Sequence, residues 1–584
     1  MIRSSFDPDP YPEVGIHKLQ LAVCAGAAVA ENRKLAEAAF DYSHPLSVIS
    51  GTIHSGDLPA QASFLALEAH RGTYTSQAKT KAGNRRSELG LREAELWCVA
   101  ARALGGFEIP VTALDEAWRT LLLHQFHDIL PGSSIHRVYA EAEAAHTDIA
   151  ATARTATAQA LASLTGQAEA VTVFNSLSWP RRALLSLPAS FQGAAGTSGQ
   201  ALPVQPVDGK LMVEVMVPSC GWTTVRPDEA VSAPQEAPAA SAARAGEYSL
   251  ENEFLRVEFN AQGEISSLFD KESGLELAAG PCNSFRMYKD VPNWFDAWDI
   301  DSMYEQTPVP LDGPVTLEVI AGGPLLATLR LSRQLHNSWL VQEISLRRGS
   351  RRIEFATTVQ WQESHKLLKV NFPVNIHANE AIHEIQFGHI RRPNHKSRPY
   401  DASRFEVCNH KWSALAEGDR GVAILNDSKY GLNVLGNSLN LTLLKSALAP
   451  DMTADKGEQR FTYALYAWNG SLADSGVVRE AYELNVPAMS APGAAGERSL
   501  FAVDAPNVVI ETVKPAEDGS PDVIVRLYEA KHCRARCTLS TALPVTGAEQ
   551  TDMLERAGRA LPCEAGKVAL EFRPFEIKTV RLRL

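Results

Sequence analysis

Alternating apolar and polar positions divide the chain into a helical stretch and a longer strand-rich stretch. Residues 84–165 are rich in Ala, Leu and Glu, and their apolar positions recur at helical spacing. From Val171 onward, apolar and polar residues alternate with a period of two, which is typical of half-buried antiparallel strands. The pattern predicts a multidomain α+β fold in which a three-helix bundle precedes large antiparallel β-sandwich domains.

Polar side chains interrupt the apolar pattern near the end of the second predicted helix. His124, His127 and Asp128 stand at positions i, i+3 and i+4, so their side chains would converge on one patch of a helix. Imidazole nitrogens and carboxylate oxygens are good metal ligands. The alternative is a buried histidine that is hydrogen-bonded across a turn, and for His124 we prefer this core role to a ligand role.

The same segment carries the signals for a helix end and a helix start. Pro131-Gly132 predicts that the helix stops there, and Ser133 or Ser134 is expected to cap a helix that begins near Ile135. Unpaired carbonyls and the negative end of the helix dipole favour a cation at such a break. The sequence therefore places a histidine and an aspartate where positive charge is stabilised.

Further motifs follow in a fixed order along the chain. His70–Gln77 reads His-Arg-Gly-Thr-Tyr-Thr-Ser-Gln, and Gly83–Glu88 reads Gly-Asn-Arg-Arg-Ser-Glu. Asn293–Asp301 reads Asn-Trp-Phe-Asp-Ala-Trp-Asp-Ile-Asp. Together with the His127 segment, these motifs resemble the class II α-mannosidases of glycoside hydrolase family 38, in their cytosolic and bacterial branch. The likeness covers about residues 66–584 and includes the family's central helical domain and C-terminal β-domains.

The resemblance implies removal of a terminal α-linked mannose from an oligosaccharide, with retention of configuration. In that family a divalent metal, usually zinc, holds the sugar. The resemblance makes His127 a metal ligand and places Asp128 in the sugar pocket, where a carboxylate accepts hydroxyl protons. Arg71 and Tyr74 lie beside the pocket in the resemblance, and helix-turn packing is the alternative role for both.

The aromatic-acidic loop offers a second set of sugar-binding candidates. The faces of Trp294 and Trp298 suit the apolar side of a pyranose ring, and Asp296 or Asp299 suits its hydroxyl groups. The alternative is a β-sandwich turn that is stabilised by buried tryptophans. Sequence alone leaves both interpretations open.

The catalytic groups that the resemblance requires are not found in this sequence. Retaining hydrolysis needs two carboxyl groups about 5 Å apart, and the family carries both on an N-terminal α/β domain with a His-x-Asp metal motif. Here the His-x-Asp sequence is His146-Thr147-Asp148, in an Ala-rich helical pattern, and we expect a solvated surface pair. We therefore expect the α/β domain to be missing from this chain, assign no catalytic residue, and consider a complementing α/β catalytic chain.

The first residues resemble a segment near the other end of the chain. Ile2-Arg3-Ser4 pairs with Leu444-Lys445-Ser446, and the same offset holds without a gap as far as Pro45 and Pro487. We interpret residues 1–68 as a partial copy of a mannosidase C-terminal β segment that is joined to the helical domain. The alternative is chance similarity between two β-rich stretches.

Three further boundaries follow from the change of pattern and the resemblance. Residues 69–166 are expected to form the central helical bundle and residues 170–500 a large β-sandwich domain that is galactose-mutarotase-like. Residues 501–584 are expected to form a small C-terminal β-sandwich. Ala194–Gln200 and Val231–Gly246 are rich in Ala, Gly, Ser and Pro, which predicts surface loops or linkers.

Composition narrows the class of partner. The 584 residues are 45% hydrophobic and 21% charged, as in an ordinary globular protein, and a net charge of −12 argues against nucleic acid. The N-terminal residues lack a signal-peptide pattern, and no apolar run approaches the ~20 residues that span a bilayer. The eight scattered cysteines favour free thiols in a reducing cytoplasm. An oligomer is possible.

Three hypotheses for function remain. The first is a metal-dependent α-mannosidase chain that needs a separate catalytic domain. The second is a non-catalytic glycan-binding or scaffold protein, and the third is an inactive remnant. Assays of mannoside turnover and of mannose binding distinguish them.

Overall fold

The computed structural model describes residues 70–228, 242–556 and 558–584. Within this part, Ala69–Leu584 forms one compact unit. Three long helices come first and antiparallel sheets follow, so the predicted fold class is confirmed. The proposed copy at residues 1–68 and most of the linker at 231–246 lie outside the described residues. No described helix combines the length and the apolar character that crossing a membrane requires.

Five α-helices are described, and two 3₁₀ turns accompany them at Arg71–Tyr74 and Tyr304–Gln306. The helices are α1 (Ala78–Gly105), α2 (Val111–His124), α3 (His136–Leu164), α4 (Pro399–Ala402) and α5 (Val477–Asn485).

The bundle of α1, α2 and α3 is held by an apolar core that continues into the terminal sandwich. Trp97 and Leu91 of α1 are fully buried and belong to the same cluster as Ala156 of α3 and Ile510 of the last domain. Small alanines on α3 let the two long helices approach closely. The bundle is therefore stabilised by the sandwich behind it as well as by contacts between its helices.

Four sheets carry residues 166–228 and the large sandwich. The first contains β1 (Gly166–Asn175), β3 (Ala194–Ala195), β6 (Gly221–Pro227), β27 (Met489–Ala494) and β28 (Glu497–Ser499). The second contains β2 (Arg181–Ser186), β4 (Val204–Val207) and β5 (Lys210–Val217). The third contains β7 (Arg244–Gly246), β8 (Ser249–Glu251), β9 (Leu255–Phe259), β10 (Ile265–Asp270) and β11 (Leu275–Glu276). The fourth, six-stranded, contains β12 (Ser284–Lys289), β13 (Pro308–Val309), β18 (Lys366–Pro373), β21 (Val407–Cys408), β24 (Gly431–Leu435) and β25 (Ser438–Lys445).

A nine-stranded sheet forms the other half of the large sandwich, and two smaller sheets form the terminal one. The nine strands are β14 (Val315–Gly322), β15 (Leu326–Leu335), β16 (Ser338–Arg347), β17 (Arg352–Trp361), β19 (Glu380–Ile385), β20 (Gly388–Pro393), β22 (Trp412–Ala416), β23 (Arg420–Asn426) and β26 (Gly457–Asn469). The terminal sheets are β29 (Phe501–Val503), β32 (Ala535–Thr541) and β35 (Lys567–Phe572), against β30 (Val508–Pro515), β31 (Val523–Glu529), β33 (Gly547–Thr551), β34 (Arg559–Leu561) and β36 (Ile577–Arg583).

The large sandwich is the main apolar core of the chain. Phe372 of β18 and Phe355 of β17, from its two sheets, belong to one buried cluster, with ring centroids 5.8 Å apart. On strands such as β16, alternate residues are buried, as the period-two pattern predicted. This rigid core supports the loops that are described below.

Two local predictions about the helices are wrong. The helix before Pro131 ends already at His124: the backbone N–H of Gln125 still bonds to carbonyls of the last helical turn, and the residues after it form separate turns. His146 is not a solvated surface residue: its side chain is buried against Gly83, and its Nδ1 lies 3.1 Å from the hydroxyl of Ser87. Helix–helix packing at Gly83 makes that position an interior one.

Candidate functional site

A turn between α2 and α3 carries the His127 and Asp128 candidates. Gln125 ends α2, and its side-chain amide donates to Asn84 (3.0 Å) and Glu88 (2.7 Å) on α1. The ammonium group of Lys81, also on α1, donates to the carbonyls of Leu130 (2.9 Å) and Pro131 (3.2 Å). These tertiary hydrogen bonds hold the end of α2 and the turn after it against α1.

His127 and Asp128 form a solvent-facing pair on this turn. Their side chains are 61% and 50% exposed, and His127 Nε2 lies 3.2 Å from Asp128 Oδ2. The expected convergence with His124 does not occur, because His124 lies on the last helical turn with its Nδ1 2.8 Å from the Thr120 carbonyl. The two groups that the resemblance assigned to metal and sugar are therefore together and accessible.

The backbone at Asp128 is held by Ser134, just before α3, and by Tyr139 on α3. The carbonyl of Asp128 accepts a hydrogen bond from the hydroxyl of Ser134 (2.6 Å), and Tyr139 OH accepts one from Ser134 N (2.7 Å). Neither Ser133 nor Ser134 caps α3: the cap residue is Ile135, without a side-chain hydrogen bond. The serines hold the turn instead, so the capping prediction is wrong. Burial raises the pKa of Tyr139 to about 12, so the tyrosine stays neutral.

The tryptophan loop, residues 293–301, exposes one tryptophan and buries part of the other. The side chain of Trp294 is 78% exposed. Trp298 is half-buried against the cluster of Ala297, Ala447 and Ala454. The buried-tryptophan interpretation therefore fails for Trp294 and describes part of the contact of Trp298.

The carboxylate of Asp296 anchors this loop. Its Oδ2 accepts hydrogen bonds from the backbone N–H groups of Leu448 (2.7 Å) and Ala449 (3.2 Å) and lies 3.0 Å from His365 Nε2. Its Oδ1 is buried and has no hydrogen-bond partner among the described residues. Asp296 is thus engaged in fixing the loop on which Trp294 stands. Asp299 lies 2.9 Å from the ring of His70 (Nδ1 to Oδ1).

Ser76 joins the turn to the tryptophan loop. Its hydroxyl donates to the carbonyl of Ala297 (2.6 Å), and its own carbonyl accepts from Lys81, which also binds the turn. Two glycines allow this close approach. A Cβ on Gly72 would lie 2.7 Å from the Asp299 carbonyl oxygen, and Gly132 has a φ of +98° with Ser76 against it. The turn and the tryptophan loop are therefore joined through Ser76, and together they are called the face below.

Arg71 and Tyr74 contact the large sandwich instead of lying on this face. The guanidinium of Arg71 stacks on the ring of Phe405 at 4.7 Å. Tyr74 is half-buried, and burial followed by the nearby Cys408 raises its pKa. Both residues therefore pack against the sandwich.

Buried charges under the face fix the start of α1. The carboxylate of Asp455 accepts hydrogen bonds from Gln77 N (2.9 Å) and Ala78 N (2.7 Å), as a capping residue from a distant loop. Burial raises the pKa of Asp455 to about 6 and lowers that of Lys81 to about 7. The side chain of Gln77 is also buried and donates to Asp451 (2.8 Å).

The described residues do not fit a complete zinc site. A catalytic zinc takes three protein ligands, and no group of three or more His, Cys, Asp or Glu side chains is placed to hold a metal in residues 70–228, 242–556 and 558–584. His127 and Asp128 are two suitable donors. The remaining ligands of such a site would have to come from outside these residues.

An apolar rim surrounds the pair. These exposed side chains stand on the end of α2, on the turn and on a neighbouring loop: Leu122, Leu123, Phe126, Ile135 and Met452. The Met452 loop reaches the helices because Thr453 Oγ1 lies 3.0 Å from His136 Nδ1. Clustered exposed apolar groups of this kind favour contact with another surface or ligand.

Sequence reasoning missed the residues that assemble the face. Ser76, Lys81 and Asp455 act through contacts with residues far away in the sequence, and no local pattern announces such contacts. Lys79 and Lys81 stand two residues apart on the same helix, yet Lys79 is exposed and Lys81 is buried. The sequence around them does not distinguish the buried lysine from the exposed one. His70 pairs with Asp299 of the tryptophan loop across 229 residues of sequence, and no local pattern encodes this contact.

Comparison with known domain families gives three matches. Residues 68–164 match the "Alpha mannosidase middle domain" and residues 250–453 the "Glycosyl hydrolases family 38 C-terminal domain". Residues 507–580 match the "Glycosyl hydrolases family 38 C-terminal beta sandwich domain". The matches follow one another along the chain and include the turn, the tryptophan loop and both sandwiches.

Relatives that align along most of this chain agree with these domain matches. The chain is 38% identical over 539 residues to "Alpha-mannosidase 2C1" of Homo sapiens, across 89% of the chain and 50% of that protein. It is 31% identical to "Alpha-mannosidase G" of Dictyostelium discoideum, across 90% of the chain and 53% of that protein. The chain spans about half the length of the curated relatives it matches.

A solved structure shares the fold. The crystal structure of an alpha-mannosidase from Enterococcus faecalis V583 aligns with a TM-score of 0.72 at 16% identity, over 88% of this chain and 68% of that chain. Domain matches, relatives and fold agree. The chain belongs to glycosyl hydrolase family 38, of which it carries the middle domain, the C-terminal domain and the C-terminal β-sandwich.

Proposed function

We propose that this chain forms the mannose-binding wall of a retaining, metal-dependent α-mannosidase that acts on terminal α-mannose in oligosaccharides. The observation that carries the proposal is the single face made of the His127–Asp128 pair and the exposed Trp294, fixed to each other through Ser76. An exposed indole on an anchored loop costs solvation unless a partner covers it. The apolar side of a pyranose is such a partner.

Each side chain of the face has a role that matches its contacts. Trp294 stacks on the sugar, while the free acceptor positions of Asp128 take hydroxyl protons. Trp298 and Asp296 act from beneath: the first packs the base of the loop and the second fixes its backbone. Arg71 and Tyr74 support the face through the sandwich.

We propose that His127 supplies one ligand to zinc or another divalent metal, whose role in such a site is to hold the sugar. The remaining ligands and both reacting carboxyl groups come from an α/β domain or chain outside the described residues. The apolar rim around Phe126 and Leu123 supports this assignment, because it offers a surface for such a domain to cover. No step of the chemistry is assigned to the described residues.

Binding and turnover test the proposal separately. Calorimetry of the full chain with α-mannobiose should give saturable heat, and W294A should remove it because the stacking surface is gone. The matched control is W339A, since Trp339 is also exposed (43%) but stands on β16 of the nine-stranded sheet. Equal loss in both variants, or no heat with sugar in large excess, contradicts the proposal.

Binding without catalysis is the second candidate function. It is favoured because the described residues offer only two metal-ligating side chains at this site, His127 and Asp128, where a catalytic zinc takes three. Nitrophenyl α-mannoside with zinc distinguishes it: sugar binding with no turnover, even after an α/β domain of the family is added, assigns a glycan-binding role. Turnover that appears on adding the domain supports the enzyme.

We further propose a cytoplasmic location. The thiols of Cys98, Cys220 and Cys537 are buried and unpaired in disulfides, which suits a reducing compartment. Fractionation of the source cells tests this, and recovery outside the cytoplasm contradicts it.

A further inference from the structure

The small terminal sandwich contains a cavity far along the chain from the face described above. It measures about 640 Å³ and is lined by residues of both sheets, including β32 and β35 from one and β33, β34 and β36 from the other. Its floor is apolar, since Leu570 and Phe572 of β35 and Leu561 of β34 are buried beneath it. This volume lies within the range of small-molecule binding sites, about 300–1,000 Å³.

The walls of the cavity are strongly basic. Five cationic side chains line it: Arg534, Arg536, Arg559, Arg573 and Lys578. Only two carboxylates, Glu571 and Glu576, line it with them. Because the chain as a whole has a net charge of −12, this concentration of positive charge runs against its composition. A basic cavity concentrates anions.

Both carboxylates are already paired. Glu571 lies 3.0 Å from Arg536, and Glu576 lies 3.3 Å from Arg573 and 3.4 Å from Lys578. Partial burial raises the pKa of Glu576. The backbone hydrogen bond from Arg573 and the charge of Lys578 outweigh this effect and lower the pKa overall. Glu576 is therefore ionised at neutral pH and is shared by Arg573 and Lys578, so it balances one of their two positive charges.

Two guanidinium groups remain without an acidic partner. Neither Arg534 nor Arg559 forms an ion pair or a side-chain hydrogen bond within the described part of the chain. They stand on opposite sheets, Arg534 next to the start of β32 and Arg559 on β34. A guanidinium presents parallel N–H donors that match two oxygens of a phosphate group.

We propose that this cavity binds a tetrahedral phosphate group, carried by a sugar or as free phosphate, between Arg534 and Arg559. Two unpaired guanidinium groups balance the double negative charge of a phosphate monoester, whereas a single carboxylate would leave one of them uncompensated. The apolar floor and the volume leave room for a sugar-sized body beside the phosphate. The site is independent of the mannose-binding face, which is built from other domains.

Calorimetry with three probes tests the proposal: glucose 6-phosphate, inorganic phosphate and uncharged glucose. The full chain should bind the two phosphate-bearing probes saturably, with affinity that falls as salt increases, and should not bind glucose. The double variant R534Q/R559Q should weaken binding by at least about tenfold, since each change removes a charge-assisted contact. Tighter binding of glucose 6-phosphate than of phosphate identifies a phosphorylated sugar as the ligand, and equal binding identifies free phosphate.

The control is R498Q, which changes an exposed arginine on β28 outside the cavity and should leave the affinity unchanged. Both positions of the double variant are exposed, so folding should be retained, and circular dichroism checks this. Two results overturn the proposal. One is no saturable heat with either phosphate probe at about 10 mM, and the other is equal affinity of R534Q/R559Q and the parent chain. Glucose 6-phosphate carries no mannose, so failure here leaves the mannose proposal unaffected.

Discussion

Replacing Lys81 by methionine should release the turn that carries His127 and Asp128. The Lys81 ammonium group donates to the carbonyls of Ser76, Leu130 and Pro131, and the residue is 4% exposed. Methionine fills a similar volume but leaves these acceptors unpaired. Each unsatisfied buried group costs about 1–3 kcal/mol, and removal of a buried charge offsets part of the sum, so we expect a net loss of about 3 kcal/mol.

Hydrogen exchange is the appropriate assay, because a multidomain chain does not unfold in two states. A loss of about 3 kcal/mol should speed amide exchange in residues 126–135 by about 100-fold. The matched control is K79M, two residues away, where the lysine is 42% exposed and pairs with Glu143 only at 4.0 Å. Unchanged exchange in K81M, or the same increase in K79M, would refute the reasoning.

The same lysine should make the local stability depend on pH. Burial lowers the pKa of Lys81 to about 7 from its ordinary value of 10.5, so the opened turn binds more protons than the closed one between these values. The opening free energy of the parent should therefore rise with pH across this window. The cost of burying the protonated Lys81 side chain is fully present below about pH 7. K81M should lack this slope.

Three further changes test the packing around the face. G72A should speed amide exchange around residue 72 by an amount equivalent to about 1–3 kcal/mol, because its Cβ meets the Asp299 carbonyl, whereas G418A, with open space around it, should not change exchange around residue 418. D455A should speed exchange in the first turn of α1 through loss of about 1–2 kcal/mol of capping; unaltered exchange there contradicts the capping role. Burial lowers the pKa of His146 to about 4, so the unfolded chain binds more protons between pH 4 and 6.5 and stability should fall as pH drops through that window. An NMR titration of His146 near 6.5 would contradict this.

The fold class followed from periodicity because most elements are long and amphipathic. The strand alternation on β16 and the helical spacing in α1 are local signals, and the structure contains both elements. The end of α2 could not be predicted, since it depends on hydrogen bonds from Lys81 and Gln125 to partners outside that helix. The interior position of His146 likewise depends on which helix packs against it.

For the candidate site, the sequence supplied the components but not their assembly. The motifs singled out His127, Asp128 and Trp294, and of the two interpretations left open for the tryptophans, burial does not apply to Trp294, which is exposed. The joint at Ser76 depends on contacts more than 200 residues apart in sequence, which no local pattern encodes. The helical spacing assumed for His124 failed because the helix ended one turn earlier.

A crystal structure of the full chain soaked in methyl α-mannoside tests the central claim most directly. The account predicts a sugar stacked on Trp294, on the face that also carries Asp128 and His127. A sugar bound elsewhere, or an occupied face in crystals of W294A, would contradict it.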